Sequence, residues 1–333
     1  MRVLSLFDGM ACGMLAIQKV GLDVEEYVAY EVDKYAIKTA THNFPMIKEC
    51  GDVFNADFKQ YKGFDYIIGG SPCQHWSVAQ KNNRETEASG LGWDLFSQYV
   101  RAVREVKPKY FIYENNKSMS NGVREGIIKE FGFEPICINS ALVSAQNRRR
   151  LYWVGKRNED GTYSKVDIEQ PRDKGIVLND ILENKVCVYK GNELLEPVCV
   201  ASRGRNPDKP SSRVVGEYTE QRYEAHTDGK TNTLTTVSKD NMIAEPTEEK
   251  EGSYEVKNGK ITVKGKSYEI KLKDGFYKIR NLTLLECKRL QTVPDSYEFP
   301  VGVTQAKKML GNGWTVDVIA HLLKGTIKDE SLK

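Results

Sequence analysis

The sequence predicts an α/β protein, a doubly wound and mostly parallel sheet with a smaller β-rich domain attached. Three observations point there. Over residues 1–156, short apolar runs alternate with amphipathic segments of helical spacing, the pattern of strands and helices that build a parallel sheet. Glycine, acidic and cysteine residues fall directly after the apolar runs, where such sheets bind ligands. From residue 157 the chain turns polar and rich in turn signals, and helical spacing returns only near residue 283.

The expected strands are Val3-Leu4-Ser5-Leu6-Phe7, Val28-Ala29-Tyr30-Glu31, Tyr66-Ile67-Ile68-Gly69, Tyr110-Phe111-Ile112-Tyr113 and Leu151-Tyr152-Trp153-Val154. Helical patterns separate them at 15–20, 34–42, 95–106 and 123–131. Asn258-Gly259, set between apolar-polar alternations, predicts a β-hairpin, and residues 253–279 read as a small antiparallel sheet. Residues 245–252, rich in glutamate, read as a solvated loop. Residues 283–290 and 315–323 have helical spacing, and the last helix is expected to pack back onto the first domain.

The 333 residues are enough for one large and one smaller domain. No apolar run is long enough for a membrane span, and Asp8 arrives too early for a secretory signal. A cytoplasmic protein, in a bacterium or a phage-infected cell, is expected. Seven cysteines are scattered without a CxxC pair, which argues against a zinc site and for free thiols. No metal is expected. A net charge of +3 does not by itself predict nucleic-acid binding. Local clusters matter more: Arg148-Arg149-Arg150, and the stretch with Arg203, Arg205, Lys209, Arg213 and Arg222.

Phe7-Asp8-Gly9-Met10-Ala11-Cys12-Gly13 follows the first strand and opens a helix, where glycine lets backbone approach a ligand closely. It is not a full GxGxxG fingerprint. Glu31 ends the second strand, where a carboxylate can accept from both ribose hydroxyls of a nucleoside. Asp52, in Gly51-Asp52-Val53, is placed to accept from an adenine amino group. Together these favour an adenosine-containing ligand. Gly69-Gly70-Ser71-Pro72-Cys73-Gln74 sets a cysteine on a loop after a strand, a place for reaction rather than packing. Glu114 ends the strand from Tyr110 and is a candidate general acid.

In this order, these residues resemble the DNA cytosine-C5 methyltransferase family, bacterial or phage type. The first loop, with Ala11-Cys12, is similar to that of the vertebrate de novo enzymes. Phe7-Asp8-Gly9 with Gly13 resembles the family's cofactor loop, Gly70-Ser71-Pro72-Cys73-Gln74 its nucleophile loop and Glu114-Asn115 its glutamate motif. Gln146-Asn147-Arg148-Arg149-Arg150 resembles its QxRxR motif. Arg280 to Thr283 with Glu286 and Arg289-Leu290-Gln291 resembles the motif that supports target recognition, and Gly311-Asn312-Gly313 the last cofactor motif. Glu114-Asn115-Asn116 departs from the family's Glu-Asn-Val.

The resemblance implies a Rossmann-like fold that binds S-adenosyl-L-methionine. Residues 1–156, completed by 302–333, would form the catalytic and cofactor-binding domain, and 157–301 the target-recognition domain. The cofactor would meet Phe7, Asp8, Gly9, Gly13, Glu31, Val32, Asp52, Val53, Pro72, Leu95, Asn312 and Thr315. Cys73 would attack carbon-6 of cytosine, Glu114 would serve ring nitrogen N3, and Arg148 and Arg150 would support the target base. The target atom is hidden in a stacked duplex, so the base must be flipped out. Gln74, Ser77, Arg203, Arg205 and Arg222 are candidate DNA contacts. The implied partner is double-stranded DNA. A cognate restriction endonuclease remains open, and a monomer is expected. Three other readings compete: an RNA cytosine methyltransferase, a non-catalytic DNA-binding relative and a nicotinamide oxidoreductase. The intact Cys73, Glu114, Arg148 and Arg150 argue against the second, and the missing GxGxxG against the third.

Overall fold

The computed structural model describes residues 1–72, 75–77, 84–212, 214 and 216–331, with side chains to 329. Along the chain run β1 (Arg2–Leu6), α1 (Cys12–Lys19), β2 (Glu26–Tyr30), α2 (Lys34–Asn43), β3 (Lys48–Glu49), β4 (Tyr66–Gly69), α3 (Leu91–Val106), β5 (Tyr110–Asn116), α4 (Asn121–Phe131), β6 (Ile136–Asn139), β7 (Arg149–Arg157) and β8 (Tyr163–Lys165). Then come α5 (Leu178–Ile181), β9 (Val188–Lys190), β10 (Glu193–Leu195), β11 (Val198–Arg205), β12 (Glu220–His226), β13 (Met242–Thr247), β14 (Tyr254–Lys257), β15 (Lys260–Val263), β16 (Lys266–Glu269), β17 (Gly275–Asn281), α6 (Leu284–Leu290), α7 (Val303–Asn312) and α8 (Val316–Ser331).

Among the described residues the first sheet has the order β3-β2-β1-β4-β5-β7-β6, with β8 beside β7. β1 to β5 pair in parallel. β7 runs antiparallel to both β5 and β6. The sheet is therefore mixed, and the mostly parallel reading holds for its first five strands. Alternate residues of its central strands serve opposite faces. Val3, Ile68 and Ile112 join α1, α2 and α8 in one core. Leu4, Ile67 and Phe111 join α3 and α4 in another. Burial on both faces explains the near-continuous apolar runs. Gly13 permits the close approach of α1, because a Cβ there would lie 2.3 Å from Ile68 Cδ1.

The second sheet is antiparallel, in the order β12-β11-β13-β17-β14-β15-β16, over a separate small core. Asn258 and Gly259 both take positive φ, 52° and 68°, as a two-residue hairpin turn requires. The solvated loop expected at 245–252 is shorter than that. Glu245-Pro246-Thr247 belong to β13 and pair with Lys278, Tyr277 and Phe276 of β17. Val166, Leu178, Ile181 and Leu182 before the second sheet, and Leu282, Cys287, Leu290 and Val293 after it, are buried in the first core.

Two polar groupings join the sheets. Arg280, on β17, pairs with Glu286 through two hydrogen bonds of 2.8 Å. Glu286 is fully buried and also closes the capping box of α6 by accepting from Thr283 N. Residues 228–236, between β12 and β13, form a strap across the Gln146-Asn147-Arg148 segment. Thr231 N donates to Ala145 O at 2.7 Å, and Asn147 N to Thr231 O at 3.0 Å.

Candidate functional site

The carboxyl ends of the parallel strands supply the site. The strand order reverses between β1 and β4, and α/β sheets bind ligands at such a point. A cavity of about 240 Å³ opens there. Phe7, Asp8, Gly9, Glu31, Pro72 and Asn312 line it, with Glu114, Arg148 and Arg150. Phe7 and Gly9 have φ of 59° and 62°, so the loop after β1 turns sharply. The Glu31 carboxylate holds that loop and its own, accepting from Gly9 N at 2.8 Å and from Val32 N and Asp33 N at 2.7 and 2.8 Å.

Asp8 is buried, and its Oδ1 accepts from Ser5 Oγ at 2.5 Å and Tyr27 Oη at 2.7 Å. Its Oδ2 is buried without a partner. Burial, opposed by those two hydrogen bonds, pushes its carboxyl up to about 6. Both carboxylate oxygens of Glu49 are also buried without partners. Burial first, then the negative charges of Asp8 and Glu31, push Glu49 up to about 8. The unpaired Asp8 oxygen at the cavity suits a cationic ligand. The aromatic ring, the Glu31 carboxylate and the orphaned Asp8 oxygen together fit S-adenosylmethionine.

Glu114 sits between two donors. Arg150 Nε lies 3.1 Å from its Oε1, and Trp314 Nε1 donates to its Oε2 at 3.1 Å. Gly70 is packed beneath it, since a Cβ at 70 would meet Glu114 O at 2.7 Å and Oε2 at 3.0 Å. Asn115 anchors the start of the neighbouring loop: its Nδ2 donates to Ser71 O and Tyr113 Oη, both at 3.1 Å. Arg148 is buried and donates to three carbonyls, those of Leu234 (3.1 Å), Gly311 (3.2 Å) and Gly313 (2.8 Å). Cys73 and Gln74 lie outside the described residues.

Several expected cofactor residues do not line the cavity. Val32 points to solvent, and Val53 and Leu95 pack in or against the second core. Gly13 serves the packing of α1 described above. Asp52 caps a short turn, accepting from Phe54 N at 3.0 Å. Thr315 donates to Gln291 Oε1 and bonds Ser140 Oγ, both at 2.8 Å, in a buried network. Trp314, Lys308 and Met309, which do line the cavity, were not anticipated. Lys308 was within reach of the sequence, four residues before Asn312 on one helix and so on the same face.

A wider cleft of about 1280 Å³ adjoins this cavity and shares Arg150, Lys308 and Asn312 with it. Ser77, Lys117, Asn147, Arg149, strap residues Thr233 to Thr236 and the following Val237 line it. The arginines expected to touch DNA do not. Arg205 and Arg203 both pair with Glu224 across the strand pair, and Arg203 lies 3.7 Å from Asp240. Arg222 stands over the Tyr268 ring at 5.4 Å. Their charge is spent largely inside the second sheet.

Residues 1–328 match the family model described as C-5 cytosine-specific DNA methylase. The chain is 36% identical over 171 residues to the orphan methyltransferase M.SPRI of Bacillus phage SPR, covering 48% of this chain and 38% of that protein. It therefore spans little more than a third of this relative's length. It is 26% identical to the Type II methyltransferase M.NgoPII of Neisseria gonorrhoeae, over 98% of this chain and 96% of that one. The fold is similar to those of a Spodoptera frugiperda DNMT2 variant (TM-score 0.60, 18% identity, 97% and 98% covered) and of the Entamoeba histolytica methyltransferase EhMeth (0.61, 14%, 100% and 98%). Among the described residues, no helix is long and apolar enough to cross a membrane.

Proposed function

The chain belongs to the C-5 cytosine-specific DNA methylase family, and from that premise we propose that it transfers a methyl group from S-adenosylmethionine to carbon-5 of cytosine in duplex DNA. One observation carries the reading. Glu114 is held by Arg150 and Trp314 in the cofactor cavity, beside the wider cleft that shares Arg150 with it. A flipped base entering from the cleft meets a carboxyl with fixed neighbours on both oxygens.

The cofactor, when bound, supplies an electrophilic methyl group. Phe7 packs against its adenine and Glu31 takes its ribose. Asp52, the expected partner of the adenine amino group, stands outside the cavity wall and would need to turn inward. Asp8 faces the cationic end with its free oxygen. Carbon-5 of cytosine is a poor nucleophile, so the Cys73 thiolate first adds to carbon-6. Electron density moves towards N3, where Glu114 delivers a proton. The electron pair of the resulting enamine forms the new bond from carbon-5 to methyl, while the pair of the broken sulfur–methyl bond stays on the cofactor's sulfur, which leaves as a neutral thioether. A base then removes the carbon-5 proton, the bond from the Cys73 sulfur to carbon-6 breaks, N3 returns its proton to Glu114, and Cys73 leaves as thiolate. Arg150 orients Glu114 throughout.

In the wider cleft, Lys117, Arg149 and Lys308 supply the charge for phosphates, and Ser77 with the strap faces the bases. A cognate endonuclease is compatible with the Type II relatives. Bisulfite sequencing of DNA from cells expressing the chain tests the reading and yields the target context. Cytosines protected at a defined sequence support it. Unprotected DNA, with tRNA labelled instead by tritiated cofactor, would sink it.

A further inference from the structure

We propose that a seam built from Arg148, Gly311 and the strap at 231–236 makes target-DNA binding and cofactor binding strengthen each other, with Arg148 as its positioning residue. The inference rests on the methyltransferase reading above. The strap is bound to the QxRxR segment along its length. Beyond the two Thr231 backbone bonds, Thr233 Oγ1 donates to Asn147 O at 2.7 Å and Leu234 N to Gln146 Oε1 at 2.6 Å. Its next residues, Thr235 and Thr236, line the wide cleft. Thr235 Oγ1 donates to Asp240 Oδ2 at 2.9 Å and closes that loop on itself. A duplex in the cleft therefore bears directly on the strap.

The other side of the seam is the end of α7. The single guanidinium that holds Leu234 O also holds Gly311 O and Gly313 O. Asn312, between those glycines, lines both the cleft and the cofactor cavity. A second, independent feature brings the same parts together. A Cβ on Gly311 would fall 2.8 Å from Thr235 C and 2.9 Å from Thr235 O, so the strap backbone lies directly on the helix end. A guanidinium is a rigid planar fork. It cannot follow the strap and keep both glycine carbonyls unless strap and helix end move together. Buried and among neutral carbonyls, it has strong reason to keep all three bonds. Whatever fixes the strap thus also fixes Asn312, and whatever fixes Asn312 fixes the strap. Linkage requires the effect to be reciprocal.

The test uses calorimetry of S-adenosylhomocysteine, which fills the pocket without turnover, with and without a short duplex carrying the bisulfite-mapped site. For the wild type, the duplex tightens binding about tenfold, inside the usual range for coupled sites. Arg148→Lys replaces the fork with a point charge and lowers that factor below about threefold. Thr233→Val loses the bond to Asn147 O and lies away from the cofactor cavity. Because Thr233 also lines the cleft, its coupling factor is read at duplex concentrations that saturate the variant, where it falls too, with duplex-free affinity for S-adenosylhomocysteine within about threefold of wild type. Thr233→Val decides the matter if Arg148→Lys does not fold. A merely structural role would change melting temperature and leave the coupling factor alone. Full coupling in Thr233→Val, or none in a wild type that methylates DNA, overturns the seam. A wild type that protects no cytosine overturns the functional reading and the seam with it, so the bisulfite result tells the two failures apart.

Discussion

Trp314 Nε1 donates to Glu114 Oε2 at 3.1 Å, joining residues 200 positions apart in sequence. The indole fixes the oxygen that Arg150 leaves free, so the carboxyl has one orientation in the cavity. Trp314→Phe keeps an apolar ring and deletes the donor. Leaving a buried acceptor without its donor costs about 1–3 kcal/mol, so kcat is expected to fall roughly tenfold. Cofactor affinity should change little. Single-turnover methylation measures the first, and calorimetry the second. An unchanged methyl-transfer rate would show that Trp314 does not position Glu114.

Gly70→Ala places a methyl group against both the backbone and the carboxylate of Glu114. The nearer contact, at 2.7 Å, is the Glu114 backbone carbonyl, which cannot swing aside, and the carboxylate oxygen is held by Trp314, so the chain after β4 must shift against β5. Overpacking of this kind costs about 1–3 kcal/mol. Denaturant unfolding should show that loss, and methylation should fall more steeply than stability does. Wild-type activity in this variant would mean that Glu114 tolerates displacement.

Cys73→Ser is expected to abolish turnover and keep cofactor binding, because the hydroxyl does not supply a comparable nucleophile at neutral pH. Tritium transfer and calorimetry separate the two. Residual methylation at the wild-type rate would remove Cys73 from the mechanism.

Glu49 predicts an unusual pH response in the ligand-free protein. Its folded-state carboxyl is raised to about 8 from an ordinary 4.5. A raised carboxyl binds its proton more tightly in the folded state, so stability falls as pH rises between those values. Glu49→Gln should therefore melt higher than wild type at pH 8 and nearly with it at pH 4. Parallel melting profiles for the two proteins across that window would refute the assignment.

Glu286 predicts the opposite slope. Arg280 and backbone donors outweigh its burial and hold its carboxyl below the ordinary 4.5. Its contribution is present above pH 4.5 and is lost as pH falls through the lower folded value. Glu286→Ala leaves Arg280 with Glu245 alone, 2.8 Å away, and removes the acceptor that caps α6, so it should cost about 1–3 kcal/mol. Equal stability of variant and wild type at pH 7 would show that the pair is dispensable.

The sequence carried the strands that end in chemistry because burial on both faces makes them apolar throughout, as at Tyr66 to Gly69. It carried the Asn258-Gly259 turn because positive φ restricts residue choice. Strand direction was not legible, since Leu151 to Val154 reads the same whether β7 runs parallel or antiparallel. Side-chain pairing was not legible either. Nothing near Arg203 or Arg205 announces Glu224, which reaches them only once β12 folds back on β11. Trp314 and Glu49 escaped notice because their roles depend on Glu114 and Asp8, which meet them only in three dimensions.

The strap has a consequence for exchanging specificity between relatives. It lies between β12 and β13, inside the stretch that forms the second sheet, yet it is bonded to the first domain through Ala145, Gln146, Asn147 and Arg148. A graft that replaces residues 188–281 in one piece therefore discards part of the recipient's own scaffold. The transplantable cassette is discontinuous: 188–227 and 241–281 can travel as a pair, while 228–240, whose Asp240 is bonded to Asn232 and Thr235 of the strap, must stay with the host or be matched to its arginine and its glycine.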